Sequence, residues 1–200
     1  MSASYKELRS SARALALTLL FDTPAERELI SDVLLLGLEL EKIRDIASEP
    51  MIAMIRLQWW RDLIETGALP EGAPPLASRL IQHSKLDKPS LITAIEATQA
   101  SLQMPPAAVS WDALLLSISR SLGWAYDEAL LIQLGHNMTA LYAGEGQAAF
   151  TFLDDADIKK ASPESHGFFR LLHYLMTRQL TTSTDGDHWL VMRYLWRILR

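Results

Sequence analysis

The chain contains no cysteine, which excludes disulfides, thiolate catalysis and cysteine-ligated zinc, and fits a reducing compartment. Positive charge is not in excess either: 19 Lys and Arg stand against 24 Asp and Glu, a net of −5, so no overall basic field draws in nucleic acid. No uncharged apolar run reaches the roughly 18–20 residues of a membrane span. The nearest approaches, "ALALTLLF" after Arg13 and "VLLLGLEL" from Val33, are too short. The start, with Lys6, Arg9 and Arg13, lacks a small-residue cleavage site and runs directly into a helical pattern, so it reads as structure and not as a leader. There is no glycine-rich phosphate loop and no Gly-x-Ser-x-Gly turn. His83, His136, His166, His173 and His188 show no metal-ligand spacing and read as surface or hydrogen-bonded side chains. The expectation is a soluble protein, cytoplasmic or peripheral to the inner membrane.

What is present is hydrophobic content at helical spacing. With 200 residues and 49% hydrophobic composition, the chain can bury a full core as one domain, residues 1–200. Apolar residues recur with helical period in 3–21, 25–47, 50–66, 74–84, 89–103, 107–121, 124–142, 164–180 and 187–199. Breaks fall at Asp22-Thr23-Pro24, Glu49-Pro50, Gly67 to Pro75, Lys88-Pro89, Pro105-Pro106, Gly144 to Gly146 and Thr181 to Gly186, none long enough for a domain linker. The class is all-α.

Two stretches carry more than periodicity. In "IRDIASEPMIAMIRLQWWRDLIE", Pro50 disfavours helix at Glu49 but suits a first helical position, so one helix ends near Ala47 and another begins at Pro50. In the second helix Ile52, Ile55, Trp59 and Leu63 form one stripe, which places Trp59 in the core. Trp60, about 100° around, packs on a neighbour or stays partly wet. In the first helix Leu34, Leu38, Glu41 and Asp45 share a stripe, so two carboxylates point where the core should be. Such a pair, unless simply exposed to solvent, calls for a cation: Arg44 or Arg56 in an ion pair, or Mg²⁺ shared with substrate phosphates. Asp154, Asp155 and Asp157 read as residues favoured at a helix N-terminus. The segment "HWLVMRYLWRILR" sets Trp189, Met192, Leu195, Trp196 and Leu199 near one face and Arg193, Arg197 and Arg200 elsewhere; it reads as a core helix, or as one for a membrane surface or a partner groove.

The block Ser48-Glu49-Pro50 followed by "IRLQWWRD", within a region running from Arg13 to Gly67, resembles the N-terminal part of the squalene/phytoene synthase family, including its bacterial members and the related mitochondrial complex I assembly factor. Weaker resemblance extends through "LITAIEATQASLQ", "SISRSLGWAYDEALLIQLGHNM" and "FLDDADIKKAS", and so covers most of residues 10–162. It implies an all-α isoprenoid (terpenoid) synthase bundle. In active members two aspartate-rich motifs on facing helices hold Mg²⁺, the metal holds prenyl diphosphates, and an apolar cavity shelters the carbocation.

Against that pattern the first motif, Asp-x-x-x-Asp, falls on Glu41-Lys42-Ile43-Arg44-Asp45, with only Asp45 agreeing. The second falls on the helix containing Gln133, which occupies its first aspartate position, and ends near Gly146. "IEATQASLQ" offers Thr98, Gln99, Ser101 and Gln103 where the resemblance leads one to expect arginines, an aspartate and a tyrosine. The expected reading is a degenerate member without catalytic residues: Glu41 and Asp45 are vestigial metal ligands, while Arg44, Arg56, Trp59, Trp60 and Gln133 line or support the cavity. No cofactor is expected. The implied role is interaction with a protein partner, such as a subunit of a membrane respiratory complex during assembly. Two alternatives are a Mg²⁺-dependent prenyl-diphosphate transferase and a module binding an isoprenoid or other lipid.

Overall fold

The computed structural model describes residues 2–20, 22–46, 50–103, 109–124 and 127–142. Among them are eight α-helices and no strand: α1 Ala3–Ser11, α2 Arg13–Thr18, α3 Pro24–Ile46, α4 Pro50–Thr66, α5 Pro75–Gln82, α6 Lys88–Ser101, α7 Trp111–Leu122 and α8 Glu128–Tyr142. This is the all-α architecture expected. The spans 164–180 and 187–199, the Asp154–Asp157 cluster, the turn at Gly144–Gly146, Pro105-Pro106, His166, His173, His188 and residues 47–49 of the Ser-Glu-Pro break lie outside the described residues.

Helix boundaries follow local chemistry. At α3 the Thr23 N–H donates to Glu26 Oε2 at 2.9 Å and the Glu26 N–H donates back to Thr23 Oγ1 at 3.4 Å, a reciprocal cap with Pro24 at the first helical position. Arg27 fastens the preceding corner by donating to the carbonyls of Leu19 at 3.0 Å and Asp22 at 2.9 Å, while its guanidinium lies 5.3 Å from the Tyr5 ring centroid. α7 stops at Gly123, whose φ of 65° is left-handed and lets the Trp124 N–H reach the Ser119 carbonyl at 3.0 Å. The single helix expected over 3–21 is divided at Ala12, with φ −146°. There Ser10 Oγ turns back to the Glu7 carbonyl at 2.8 Å, the competition that serines offer a helical backbone.

α3 is the hub: it packs on α1, α4, α5 and α7, and every residue from Leu29 to Gly37 is buried. A helix enclosed on all sides must be apolar all round, which the run Val33–Leu36 supplies. α4 packs on α6, α6 on α7 and α7 on α8, so the remaining helices follow one another around the hub. Two glycines set crossing distances. A Cβ on Gly37 would lie 2.6 Å from the Trp111 ring, and one on Gly135 would lie 2.2 Å from the Asp112 backbone.

The expected phase of α4 is corrected. Its buried line is Ala53, Leu57, Trp60 and Ile64, with Leu63 beside it; Trp60 is 4% exposed, whereas Trp59 is only half-buried and Ile52 and Ile55 are exposed. Apolar residues crowd positions 51 to 60 so densely that two adjacent stripes are equally apolar. The stripe that turns inward carries the small Ala53, next to which another helix can come close. The two indoles meet edge to face, centroids 5.0 Å apart and planes at 79°.

Candidate functional site

Near its C-terminus the inner side of α3 runs through Gly37, Leu40, Glu41 and Arg44. Glu41 is buried, with one carboxylate oxygen hydrogen-bonded and the other held in an ion pair without hydrogen-bond geometry. Nε1 of Trp111 donates to Oε1 at 2.8 Å, and Nη1 of Arg44 stands 2.6 Å from Oε2 in an ion pair. Arg44 also reaches Asp45, donating from Nε and Nη2 to Oδ1 at 2.9 and 2.8 Å, and its Nη2 lies 3.4 Å from the carbonyl of Tyr142. Trp111 and Tyr142 stack with centroids 5.0 Å apart and planes at 17°. One carboxylate and one guanidinium thus tie α3 to α7 and α8.

Burial pushes the Glu41 carboxyl upward from the ordinary range; the Trp111 hydrogen bond and Arg44 oppose that, and Asp45 adds to it. The Tyr142 phenol is pushed up to about 12 by burial and by the Glu41 charge. The cluster therefore behaves as a desolvated negative charge with a resident counter-ion.

The expected site residues separate in space. Asp45 turns outward, its side chain 64% exposed, because the buried line at this end runs through Leu40, Glu41 and Arg44 and Asp45 lies about 40° beyond Glu41 on the side away from Arg44. This corrects the expectation that both carboxylates point inward. Arg56 is exposed on α4 and has no ion pair among the described residues, so of the two arginines only Arg44 reaches Glu41. Gln133 is half-buried on α8. The polar residues of α6 bond within their own helix or to a neighbour: Thr98 Oγ1 donates to the Ala94 carbonyl at 2.8 Å, Ser101 Oγ to the Thr98 carbonyl at 2.8 Å, and Gln99 Nε2 to Gln58 Oε1 at 3.4 Å.

Sequence reasoning missed a second cluster. Asp32 is fully buried in α3; Arg79 of α5 donates to Oδ1 at 2.7 Å, and His83 Nε2 is 2.9 Å from Oδ2. Arg79 extends through Nη2 to Glu7 of α1 at 2.8 Å. The signal was a lone aspartate in the apolar run "LISDVLLL", which has to find partners when buried. His83 is thus one of the hydrogen-bonded histidines.

Mg²⁺ needs several oxygens at about 2.0–2.1 Å in near-octahedral array. Here Glu41 has given one oxygen to an indole N–H and the other to Arg44, and the exposed Asp45 shares that same guanidinium. Seating the metal would place a dication beside a buried cation or leave that cation without its partner, a loss of order 3–5 kcal/mol. The residues present do not fit the ion. No group of three or more metal-binding side chains occurs among the described residues, and no helix there is long and apolar enough to cross a membrane.

Comparison with known protein families matches residues 8–123 to squalene/phytoene synthase. The matched span takes in both motif carboxylates and the "IRLQWW" helix and stops before α8, so Gln133 lies outside it. No curated protein and no solved structure matches the chain.

Proposed function

Because the chain belongs to the squalene/phytoene synthase family, we propose that it uses the family's helical scaffold for interaction and not for prenyl transfer, with a protein partner such as a subunit of a membrane respiratory complex under assembly. The observation that carries this reading is the occupation of Glu41. At the position where the resemblance puts a metal ligand, the carboxylate is closed by Trp111 on one side and Arg44 on the other.

Ionising an allylic diphosphate leaves negative charge on the departing group, which has to be stabilised by cations held in place beforehand. A guanidinium locked between Glu41 and Asp45 is already neutralised and has little charge left to offer. Loss of a single charge-stabilising element typically costs about 2.7–4 kcal/mol of barrier, so loss of a metal cluster removes practical turnover.

The test is incubation with farnesyl or geranylgeranyl diphosphate and Mg²⁺ or Mn²⁺, followed by chromatography of pyrophosphate and hydrocarbon products. The expected result is release no faster than the uncatalysed background. Steady product formation that disappears in a Glu41→Gln, Asp45→Asn double variant would overturn the reading. Affinity capture from solubilised membranes, identifying a respiratory-complex subunit lost with a disrupted surface variant, tests the interaction.

A further inference from the structure

The corner between α2 and α3 has fasteners for its backbone but none for a carboxylate buried in it. Arg27 donates to the carbonyls of Leu19, Leu20 and Asp22 at 3.0, 3.4 and 2.9 Å, and Thr23 and Glu26 cap each other across the first turn of α3. Asp22 itself is 7% exposed, and among the described residues its Oδ2 has no hydrogen-bond partner and its carboxylate forms no ion pair with Arg27. A carboxyl so placed is tolerated when neutral and costly when ionised, because the charge has lost water without an ion pair to replace it. The charges that act on it come from α3, where Glu26 adds to the effect of burial and Arg27 opposes it. Lys6, Arg9 and Arg13 of α1 and α2 are exposed, and Glu7 of α1 is held by Arg79 of α5.

We propose that this corner is a pH-operated hinge: ionisation of Asp22 loosens α1 and α2 from α3, and protonation seats them again. α1 packs on both α2 and α3, so opening at the corner is felt through Tyr5 and Leu8, the buried apolar residues of α1. The polar ties that oppose it are weak ones: the Arg27 guanidinium 5.3 Å from the Tyr5 ring centroid, and the Glu7–Arg79 pair, whose glutamate side chain is 48% exposed. In the closed corner burial, with Glu26 against Arg27, pushes the Asp22 carboxyl up to about 6; in the opened corner water returns it toward the ordinary value near 4. The closed form is therefore fully favoured below about 4 and loses that advantage as pH rises through about 6. Between pH 4.5 and pH 7 the opening equilibrium shifts by about twentyfold.

Hydrogen exchange on the full chain, corrected for the intrinsic chemistry of the amides, reads the opening. Amides of α1 and α2 are expected to exchange sooner than those of α7, and to lose protection by about twentyfold between pH 4.5 and pH 7. In Asp22→Asn, which keeps the shape of the side chain and cannot ionise, the same amides are expected to be equally protected at both pH values. Exchange of α1 and α2 no sooner than that of α7 would overturn the hinge, since the carboxyl would then be sensed only by unfolding of the whole chain. Equal protection at both pH values in the parent, or a loss that survives in Asp22→Asn, would overturn the role given to Asp22.

Discussion

Replacing Gly135 by alanine sets two physical effects against each other. In a helix interior alanine is favoured over glycine by about 1 kcal/mol, so propensity alone says that the variant gains stability. The crossing of α8 over α7 says the opposite. The added Cβ would sit 2.2 Å from both Cα and N of Asp112 and 2.5 Å from its Cβ, against an ordinary carbon contact of about 3.5–4.0 Å. The obstacle is backbone, so no side-chain rotation relieves it and the helices must part by more than about 1 Å. Parting loosens buried Leu131, Leu134 and Met138, the 2.9 Å bond from Thr139 Oγ1 to the Val109 carbonyl, and the Trp111–Tyr142 stack. Overpacking of this kind costs about 1–3 kcal/mol and sometimes more; with an immovable neighbour the upper end applies, leaving a net loss of about 2 kcal/mol after the propensity gain. For a chain of this size that lowers the melting temperature by roughly 4–8 °C. Urea titration followed by far-ultraviolet circular dichroism measures it. A Gly135→Ala variant as stable as the parent, or more so, would refute the crossing geometry.

Three further outcomes follow from the packing and the charges. Trp60→Ala is expected to cost about 3–5 kcal/mol as a buried aromatic, and Trp59→Ala clearly less; the reverse order in urea titrations would restore the other phase of α4. Asp22 is buried, its Oδ2 has no hydrogen-bond partner among the described residues, and burial, reinforced by Glu26 against Arg27, pushes its carboxyl up to about 6. A raised carboxyl contributes stability that is fully present below its unfolded value near 4 and is lost as pH rises through about 6. Asp22→Asn should therefore raise the melting temperature at pH 7.5 and do so much less at pH 4, and an equal gain at both would contradict the assignment. Asp32→Ala, which takes from Arg79 its buried partner and leaves it only Glu7, is expected to cost up to about 3–5 kcal/mol; a loss below 1 kcal/mol in urea titrations would count against the cluster.

Sequence and structure diverge in an instructive way. Helix spans were legible because proline and glycine punctuate the chain: Pro24, Pro50 and Pro75 each stand at the first position of their helix, and Gly123 closes α7. The ion pair between Glu41 and Arg44 was legible as well, being an i, i+3 relation on one helix. Its closure by Trp111 was not, since the partner lies 70 residues away and only tertiary packing brings it there. The phase of α4 was ambiguous because two adjacent stripes are both apolar. The role of Gly135 was invisible because its cause is another helix's backbone. Asp32 could have been found: a solitary charge in an apolar run announces a buried partner even when it does not name one.

The separation of partners along the chain also bears on the order in which the fold forms. α1 packs on α2, α3 on α4, α6 on α7 and α7 on α8, all neighbours in sequence that can pair as soon as they exist. The bond between Glu7 and Arg79 spans 72 residues and that between Glu41 and Trp111 spans 70, so each must wait until most of the intervening helices have been laid down. Contacts made after the rate-limiting step hold the native state shut without hastening its formation. Trp111→Phe, which deletes the indole donor together with part of the buried ring beside Gly37, should therefore speed escape from the native state while leaving the refolding rate nearly unchanged, as stopped-flow chevrons would register. The two charge clusters act as late fasteners, setting how long the fold persists more than how quickly it is reached.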